Sequence, residues 1–306
     1  GGKYVSVDAA APNNLNSVGA TVGINEKFQP TVVVNGLNDA ARAAWGADAA
    51  IVVVGDDPLL NSRETIDRTD ITLPPAQEQL IRKVAAVNPN TIVVLISGYP
   101  MAIGCIQNIP NVKAILYSSH GGQEEGAAIA DALFGDYAPA GRLNATWYAS
   151  VNQLPAITDF DIINGKRTYM YFDGKPLYPF GYGLTYTTFQ YGKLKLSATS
   201  VKTTGQVTVS VDVKNSGTVA SDEVVQLYVK APCSTVKRPL KELKGFQRIN
   251  LAPGAVKTVK FTLPASELAF WDVAKNDFVV EPGYYIVMVG KSSADIQLQA
   301  ALKVVK

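Results

Sequence analysis

The sequence is poor in the residues that build metal centres and charge-relay sites. Its 306 residues include two cysteines and one histidine. A single histidine, His120, excludes a histidine-clustered metal site built by this chain alone and argues against a Ser-His-Asp triad. Cys105 and Cys233 lie far apart and lack the spacing of metal ligands, so we expect neither a zinc site nor a disulfide.

Long apolar runs and clusters of one charge are also missing. No apolar stretch reaches the roughly 20 residues that a membrane helix needs. The 28 basic and 26 acidic residues leave a net charge of +2, so we expect neither nucleic acid nor a membrane as a partner. The densest basic stretch contains Lys237, Arg238, Lys241 and Lys244. We interpret it as a solvated strand edge or loop.

The chain begins with Gly1 rather than methionine. Its opening residues indicate a protein that was truncated or cut, so we expect more chain upstream. Residues 1–36 have strand-like patterns that faintly resemble one leaf of a β-trefoil, and a single leaf cannot bury a core. We expect this N-terminal β segment to be the end of an upstream domain or an insert.

Residues 37–190 alternate between strand and helix patterns. Apolar runs at 50–55, 91–97 and 112–117 predict buried parallel strands. Helices are predicted at 37–48, 75–87, 101–108 and 123–134, the last because Gly135 follows as a C-cap residue. The alternation predicts a layered α/β sandwich domain with a mostly parallel sheet.

Residues 191–306 have a different pattern. Short segments that alternate between apolar and polar residues occur at 206–214, 223–230, 256–263 and 284–289, with turns between them. Alternation with a period of two residues and regularly spaced turns predicts an all-β sandwich. We place the boundary between the two domains near residue 190.

The most informative segment is the loop that follows the first strand of the α/β domain. It is roughly twenty residues long and contains Asp56, Asp57, Glu64, Asp67 and Arg68. Ligands of open α/β sheets bind at the carboxyl ends of the strands, and long loops there are often functional. We therefore expect a site at this edge, with Glu64 as the candidate catalytic acid. The competing interpretation is that Glu64 is a solvent-exposed loop residue.

The other charged residues of this loop have more than one interpretation. Asp56 and Asp57 either line the cleft and contact substrate or cap nearby backbone N–H groups. We expect Asp67 and Arg68 to form charge pairs that hold the loop, because an arginine–carboxylate fork has a rigid geometry.

A series of short motifs runs through residues 45–300, and their order is more specific than any one of them. They include Glu64-Thr65-Ile66-Asp67-Arg68, Gly121-Gly122-Gln123-Glu124, Ala140-Gly141-Arg142-Leu143, Tyr178-Pro179-Phe180-Gly181-Tyr182-Gly183-Leu184 and Lys241-Glu242-Leu243-Lys244-Gly245-Phe246. Together they resemble the C-terminal portion of a glycoside hydrolase family 3 enzyme, a β-glucosidase or β-xylosidase. The resemblance implies that the all-β sandwich is fibronectin type III-like.

The resemblance also implies an activity, the retaining hydrolysis of β-linked glucose or xylose at a non-reducing end. Such a reaction needs two carboxyl groups about 5–5.5 Å apart. Glu64 matches the general acid/base of several family branches. The barrel domain that carries the nucleophilic aspartate is absent from this sequence, so the implied partner is a barrel on a separate chain or a cleaved N-terminal portion. No metal or organic cofactor is implied, and family habit implies a secreted or periplasmic enzyme.

Several alternatives stay open. The chain could be a non-catalytic carbohydrate-binding or scaffold fragment, or the acid/base could be a His–Asp pair on the barrel, with Glu64 only shaping the pocket. The sequence does not distinguish glucose from xylose as the substrate sugar.

His120 lies in a segment where many relatives carry aromatic residues, and we expect it to be a packed or hydrogen-bonded loop residue. The aromatic residues of 169–172 and 178–180 could stack against sugar faces, but we expect them to fill the junction between the two domains.

Overall fold

The computed structural model describes residues 35–57, 68 and 70–306, together with the backbone of β1 (Tyr4–Val7) and β2 (Leu15–Gly19). β1 and β2 form an antiparallel pair. Glu64 and Asp67 lie outside the described residues, as does most of the segment that was compared with a β-trefoil leaf.

A three-stranded parallel sheet forms the centre of the α/β domain, with strand order β3-β4-β5. The elements of this region are α1 (Gly36–Ala44), β3 (Ala50–Gly55), α2 (Pro75–Ala85), β4 (Thr91–Ile96), α3 (Gly104–Gln107), β5 (Val112–Ser118), α4 (Glu125–Phe134), a 3₁₀ turn (Val151–Gln153) and α5 (Thr168–Tyr171). The predicted parallel α/β class is therefore confirmed.

Local sequence explains where these elements begin and end. Val52 and Val54 of β3 are buried with residues of α2, while Ile51 and Val53 on the opposite face are half-exposed. α4 ends as predicted, because Gly135 adopts a left-handed φ of 86° that glycine tolerates without steric cost. The helices are shorter than predicted by up to four residues, as expected where apolar periodicity continues past the last hydrogen-bonded turn.

The second region is the predicted β-sandwich. Its elements are β6 (Phe189–Tyr191), β7 (Lys195–Leu196), β8 (Ser200–Lys202), β9 (Gln206–Asn215), β10 (Ser221–Lys230), β11 (Glu242–Leu251), β12 (Val256–Pro264), a 3₁₀ turn (Ala265–Leu268), β13 (Phe270–Asp272), β14 (Asp277–Val279), β15 (Gly283–Gly290) and β16 (Ile296–Val305). The predicted division after residue 190 falls within β6, which pairs with β9. The exact boundary stays a prediction.

Two sheets enclose the core of the sandwich. One has the order β11-β10-β15-β16-β8, and the other has the order β12-β9-β6 with β7 also paired to β9. Every second residue of β9, from Val207 to Val213, points into the core and is almost fully buried. The period-2 alternation in the sequence thus specifies which face of the strand is inside.

A buried ion pair joins the two regions. Nη2 of Arg142, in the α/β region, lies 3.1 Å from Oε2 of Glu223 on β10, and the side chains are 8% and 2% exposed. The hydroxyl of Tyr191 donates to the other carboxylate oxygen of Glu223 at 2.9 Å. Burial raises the pKa of Glu223, although the charge of Arg142 opposes that rise.

Aromatic side chains fill the same junction, as the sequence predicted. Tyr169 stacks on Phe180 with ring centroids 4.2 Å apart and meets Tyr228 of β10 edge-on at 6.1 Å. The Tyr169 hydroxyl accepts the backbone N–H of Leu243 on β11 at 3.1 Å. These contacts bind the end of the α/β region to the sandwich.

The interpretation of the basic stretch as solvated is wrong for three of its four residues. The side chains of Arg238 and Lys244 are 6% and 13% exposed, and both pair with Glu242. Lys241 donates to the carbonyl oxygen of Ser293, and burial, followed by the charge of Lys230, lowers its pKa. Only Lys237 is exposed. Carboxylate and carbonyl oxygens are the partners of these cations in the fold, which lowers the cost of burying them.

Among the helices that the structure describes, none has the length and apolar character required to cross a membrane.

We expect Arg142→Met to lower the free energy of unfolding by about 3–5 kcal/mol, because it leaves the Glu223 carboxylate buried without its cation. Arg142→Met combined with Glu223→Gln should be less destabilised than Arg142→Met alone. Urea unfolding of the 306-residue chain measures both differences.

The loss in Arg142→Met should also grow with pH. The pKa of Glu223 is raised on folding. Its stabilising contribution to the free energy of unfolding is therefore fully present below the unfolded-state pKa of about 4.3 and is lost as the pH rises through the folded-state pKa. Removing the Arg142 cation raises the folded-state pKa of Glu223 further. Lys166→Met, which breaks an ion pair whose side chains are 55% and 58% exposed, is the control and should change little. A loss in Arg142→Met no larger than in this control would contradict the assignment.

Candidate active site

Loops from three parallel strands meet at one buried carboxylate. Asp56 follows β3, Gly98 follows β4 and His120 follows β5. Oδ1 of Asp56 accepts the backbone N–H of Gly98 at 3.1 Å and lies 3.1 Å from Nε2 of His120. The side chain of Asp56 is 1% exposed, whereas that of His120 is 39% exposed. Asp56 therefore fixes the relative positions of three loops at the carboxyl edge of the sheet.

The strand end that presents Asp56 is itself held by a side chain from α2. The amide of Gln77 accepts the N–H of Gly55 at 3.0 Å and donates to its carbonyl oxygen at 2.8 Å. A Cβ atom on Gly55 would lie 1.7 Å from the carbonyl oxygen of Ile96. Glycine is thus required where β3 and β4 approach each other, and its missing side chain allows the chain to turn into Asp56.

Tyr117 makes further contacts at the same edge of the sheet. Its hydroxyl donates to the carbonyl oxygen of Ser97 at 3.0 Å, and its ring meets Trp147 edge-on at 4.9 Å. Burial, followed by the negative charge of Asp56, raises the pKa of Tyr117. The phenol consequently stays protonated near neutral pH and remains a hydrogen-bond donor.

Both ends of the loop that contains Glu64 attach to this edge. At its start, Asp56 contacts Gly98 and His120. At its end, the Arg68 guanidinium lies 5.3 Å from the ring centroid of Tyr99, which follows Gly98. Slightly further on, the carbonyl oxygen of Ile71 accepts the N–H of Ala102 at 2.8 Å.

The structure confirms one of the predicted roles of the site residues and leaves the others as predictions. Asp56 caps a backbone N–H group, which was one of its two alternatives, and Asp57 is exposed beside it. A substrate contact by either aspartate stays a prediction. Arg68 lies over Tyr99, and its expected pairing with Asp67 stays a prediction because Asp67 is outside the described residues.

Sequence reasoning missed the partners that hold the edge together. His120 was expected to be a hydrogen-bonded loop residue, which is correct, but its link to Asp56 was not foreseen. Gln77 was not singled out at all. The contacts of Asp56 could have been predicted from position in the sequence. Gly98 and His120 follow the second and third apolar runs, and the carboxyl ends of neighbouring parallel strands lie at one edge of the sheet.

No group of three or more His, Cys, Asp or Glu side chains within the described parts of the chain is arranged to hold a metal ion. Cys105, which is partly buried, and Cys233, which is exposed, are both free thiols.

The fold agrees with comparisons of the sequence against known families. Residues 4–186 match the Glycosyl hydrolase family 3 C-terminal domain. Residues 223–293 match the Fibronectin type III-like domain. The chain therefore belongs to glycosyl hydrolase family 3, which confirms the resemblance drawn from its motifs.

Individual relatives are hydrolases of β-linked sugars. A β-xylosidase of Formosa agariphila is 42% identical, and the match covers 89% of this chain and 37% of the relative. A periplasmic β-glucosidase of Salmonella typhimurium is 37% identical, over 85% of this chain and 35% of the relative. The chain spans about a third of the length of the curated relatives that it matches.

Solved structures confirm the fold. The crystal structure of a β-D-glucoside glucohydrolase from Trichoderma reesei superposes with a TM-score of 0.80 at 34% identity. The match covers 88% of this chain and 42% of that protein.

We expect Gly55→Ala to destabilise the chain by about 2–3 kcal/mol, because the new Cβ atom would overlap the carbonyl oxygen of Ile96. The matched control is Gly122→Ala, where nothing lies within 4 Å of the added atom. Urea unfolding compares the two variants. Equal stability of the two would show that β3 can shift away from β4 without cost.

Proposed function

We propose that this chain is the C-terminal part of a retaining β-glycosidase and that Glu64 is its general acid/base. The observation that carries the proposal is the attachment of both ends of the Glu64 loop to the edge formed by Asp56, Gly98 and His120. Membership of glycosyl hydrolase family 3 supports a carboxylate in that role.

Chain connectivity limits where Glu64 can lie. Four peptide units separate it from Arg68, so its Cα atom is within about 14 Å of that of Arg68. Arg68 contacts Tyr99 at the carboxyl edge. This short separation along the chain supports a role for Glu64 at the same edge.

The chemistry assigns Glu64 two successive tasks. Its carboxylic acid protonates the leaving oxygen while a nucleophilic carboxylate attacks the anomeric carbon. Its carboxylate then takes a proton from the water that releases the sugar. Asp67 and Arg68 hold the loop through charge pairing, and Asp57, which is exposed beside Asp56, lines the cleft.

A second carboxyl group must come from outside this chain. The matched relatives are nearly three times as long as the portion that this chain covers, and the family resemblance places the nucleophilic aspartate on a barrel domain. The barrel is a separate chain or the N-terminal portion of the same protein. We expect the 306-residue chain alone to be inactive for lack of that carboxylate.

The substrate we propose is a β-linked glucoside or xyloside that is cleaved at its non-reducing end. Relatives named as a β-xylosidase and as a periplasmic β-glucosidase support both the sugars and a location outside the cytoplasm, in the periplasm or after secretion.

The test replaces Glu64 in the protein that contains both the barrel and this chain. Glu64→Gln should lower kcat/KM for phenyl β-D-glucoside or β-D-xyloside by about 10²–10⁴, because the leaving phenol then departs without a proton. A dinitrophenyl glycoside, whose leaving group needs no protonation, should be cleaved with its first step nearly intact. Steady-state and burst kinetics separate the two cases.

Glu78→Gln is the control, since Glu78 pairs with Arg82 on the surface of α2, and it should retain activity. Full activity of Glu64→Gln on the phenyl glycosides would move the acid/base to the barrel. An inactive wild-type protein would favour a non-catalytic carbohydrate-binding or scaffold role.

A further inference from the structure

We propose that His120 contacts the substrate through Nδ1, which accepts a hydrogen bond from a sugar hydroxyl, and that Asp56 is the positioning residue that orients it. The inference rests on the proposed glycosidase function and adds a polar contact to the same cleft.

The contact between Asp56 and His120 decides which ring nitrogen carries the proton. Nε2 of His120 lies 3.1 Å from Oδ1 of Asp56. A carboxylate oxygen can only accept, so Nε2 carries a hydrogen, and in the corresponding tautomer of the imidazole Nδ1 offers a lone pair. Among the residues described by the structure, none is recorded as a hydrogen-bond partner of Nδ1.

The surroundings leave the imidazole rigid on one side and accessible on the other. The carboxylate that holds it is almost completely buried, whereas the His120 side chain is 39% exposed. Cδ2 of His120 lies 3.6 Å from the position that a Cβ atom of Gly98 would occupy, so a larger residue at position 98 would contact the ring. A planar acceptor that is held in this way loses little conformational entropy when it binds a ligand.

The position of the ring also favours a substrate contact. His120 follows β5 at the edge where the Glu64 loop begins and returns. The next turn is fixed independently, because Glu125 accepts the N–H of Gly121 at 3.1 Å and the hydroxyl of Ser118 at 3.2 Å. His120 is therefore not required to close that turn, and its side chain is 39% exposed.

Two variants separate the two ring nitrogens. In His120→Asn the side-chain oxygen can occupy the position of Nδ1, which keeps an acceptor toward the cleft but loses the link to Asp56. In His120→Gln the terminal amide can reach the position of Nε2, which keeps the link to Asp56 but loses the acceptor. Both are made in the protein that contains the barrel and this chain, with p-nitrophenyl β-D-glucopyranoside and β-D-xylopyranoside as probes.

We expect KM of His120→Gln to exceed that of His120→Asn by about fivefold at similar kcat, the effect of one neutral hydrogen bond that is kept through the reaction. Asp56→Asn should also raise KM, but it should add little in the His120→Gln background, because residues that act through one contact are not additive. Thermal unfolding of each variant confirms that the fold is intact.

Equal KM values for the two His120 variants, or a higher KM for His120→Asn, would overturn the proposal and leave His120 as a structural link. The proposed roles of Glu64 and His120 can be disproved independently of each other. If Glu64→Gln were fully active on phenyl glycosides, the assignment of the acid/base would fall, whereas the His120 contact is judged from KM with Glu64 in place.

Discussion

The arrangement of the candidate site depends on the burial of one carboxylate. Asp56 has a side chain that is 1% exposed, and a buried charge is costly unless it is hydrogen-bonded. Its bonds to Gly98 and His120 draw the loops after β4 and β5 toward the loop after β3. The edge is thereby organised before any substrate binds, which is the condition for efficient electrostatic catalysis.

A second buried carboxylate has the corresponding role between the two regions of the chain. Glu223 of the sandwich is held by Arg142 and by the hydroxyl of Tyr191, beside the stacked rings of Tyr169 and Phe180. Such a pair gives little net stability but penalises any arrangement in which one partner is missing. The sandwich thus helps to define the position of the α/β region.

Sequence patterns predicted the elements well and their mutual contacts poorly. The apolar runs that became β3, β4 and β5 were visible because continuous apolar residues are typical of parallel strands. The prediction that all three strands are buried is correct only for β4, since one face of β3 is half-exposed at Ile51 and Val53 and most of β5 is partly exposed. The partner of Asp56 was not visible, because it depends on the alignment of strands that are distant in the sequence. His120 is 64 residues away from Asp56, and Arg142 is 81 residues away from Glu223. The burial of the basic stretch at Arg238 was not predicted for a similar reason, because composition gives the charge of a segment but not the contacts that bury it. Glu64 was predicted from its motif and from its place in the long loop that follows the first apolar run.

The most direct measurement is a crystal structure of the protein that contains both the barrel and this chain, trapped as a 2-fluoroglycosyl-enzyme on the nucleophile. We predict that the sugar is bonded to an aspartate outside this chain and that the Glu64 carboxyl group lies about 5–5.5 Å from that aspartate. A sugar-bound site in which another residue occupies the acid/base position, with Glu64 more than about 10 Å from the glycosidic carbon, would contradict the account, because the acid/base of a retaining enzyme lies about 5–5.5 Å from the nucleophile.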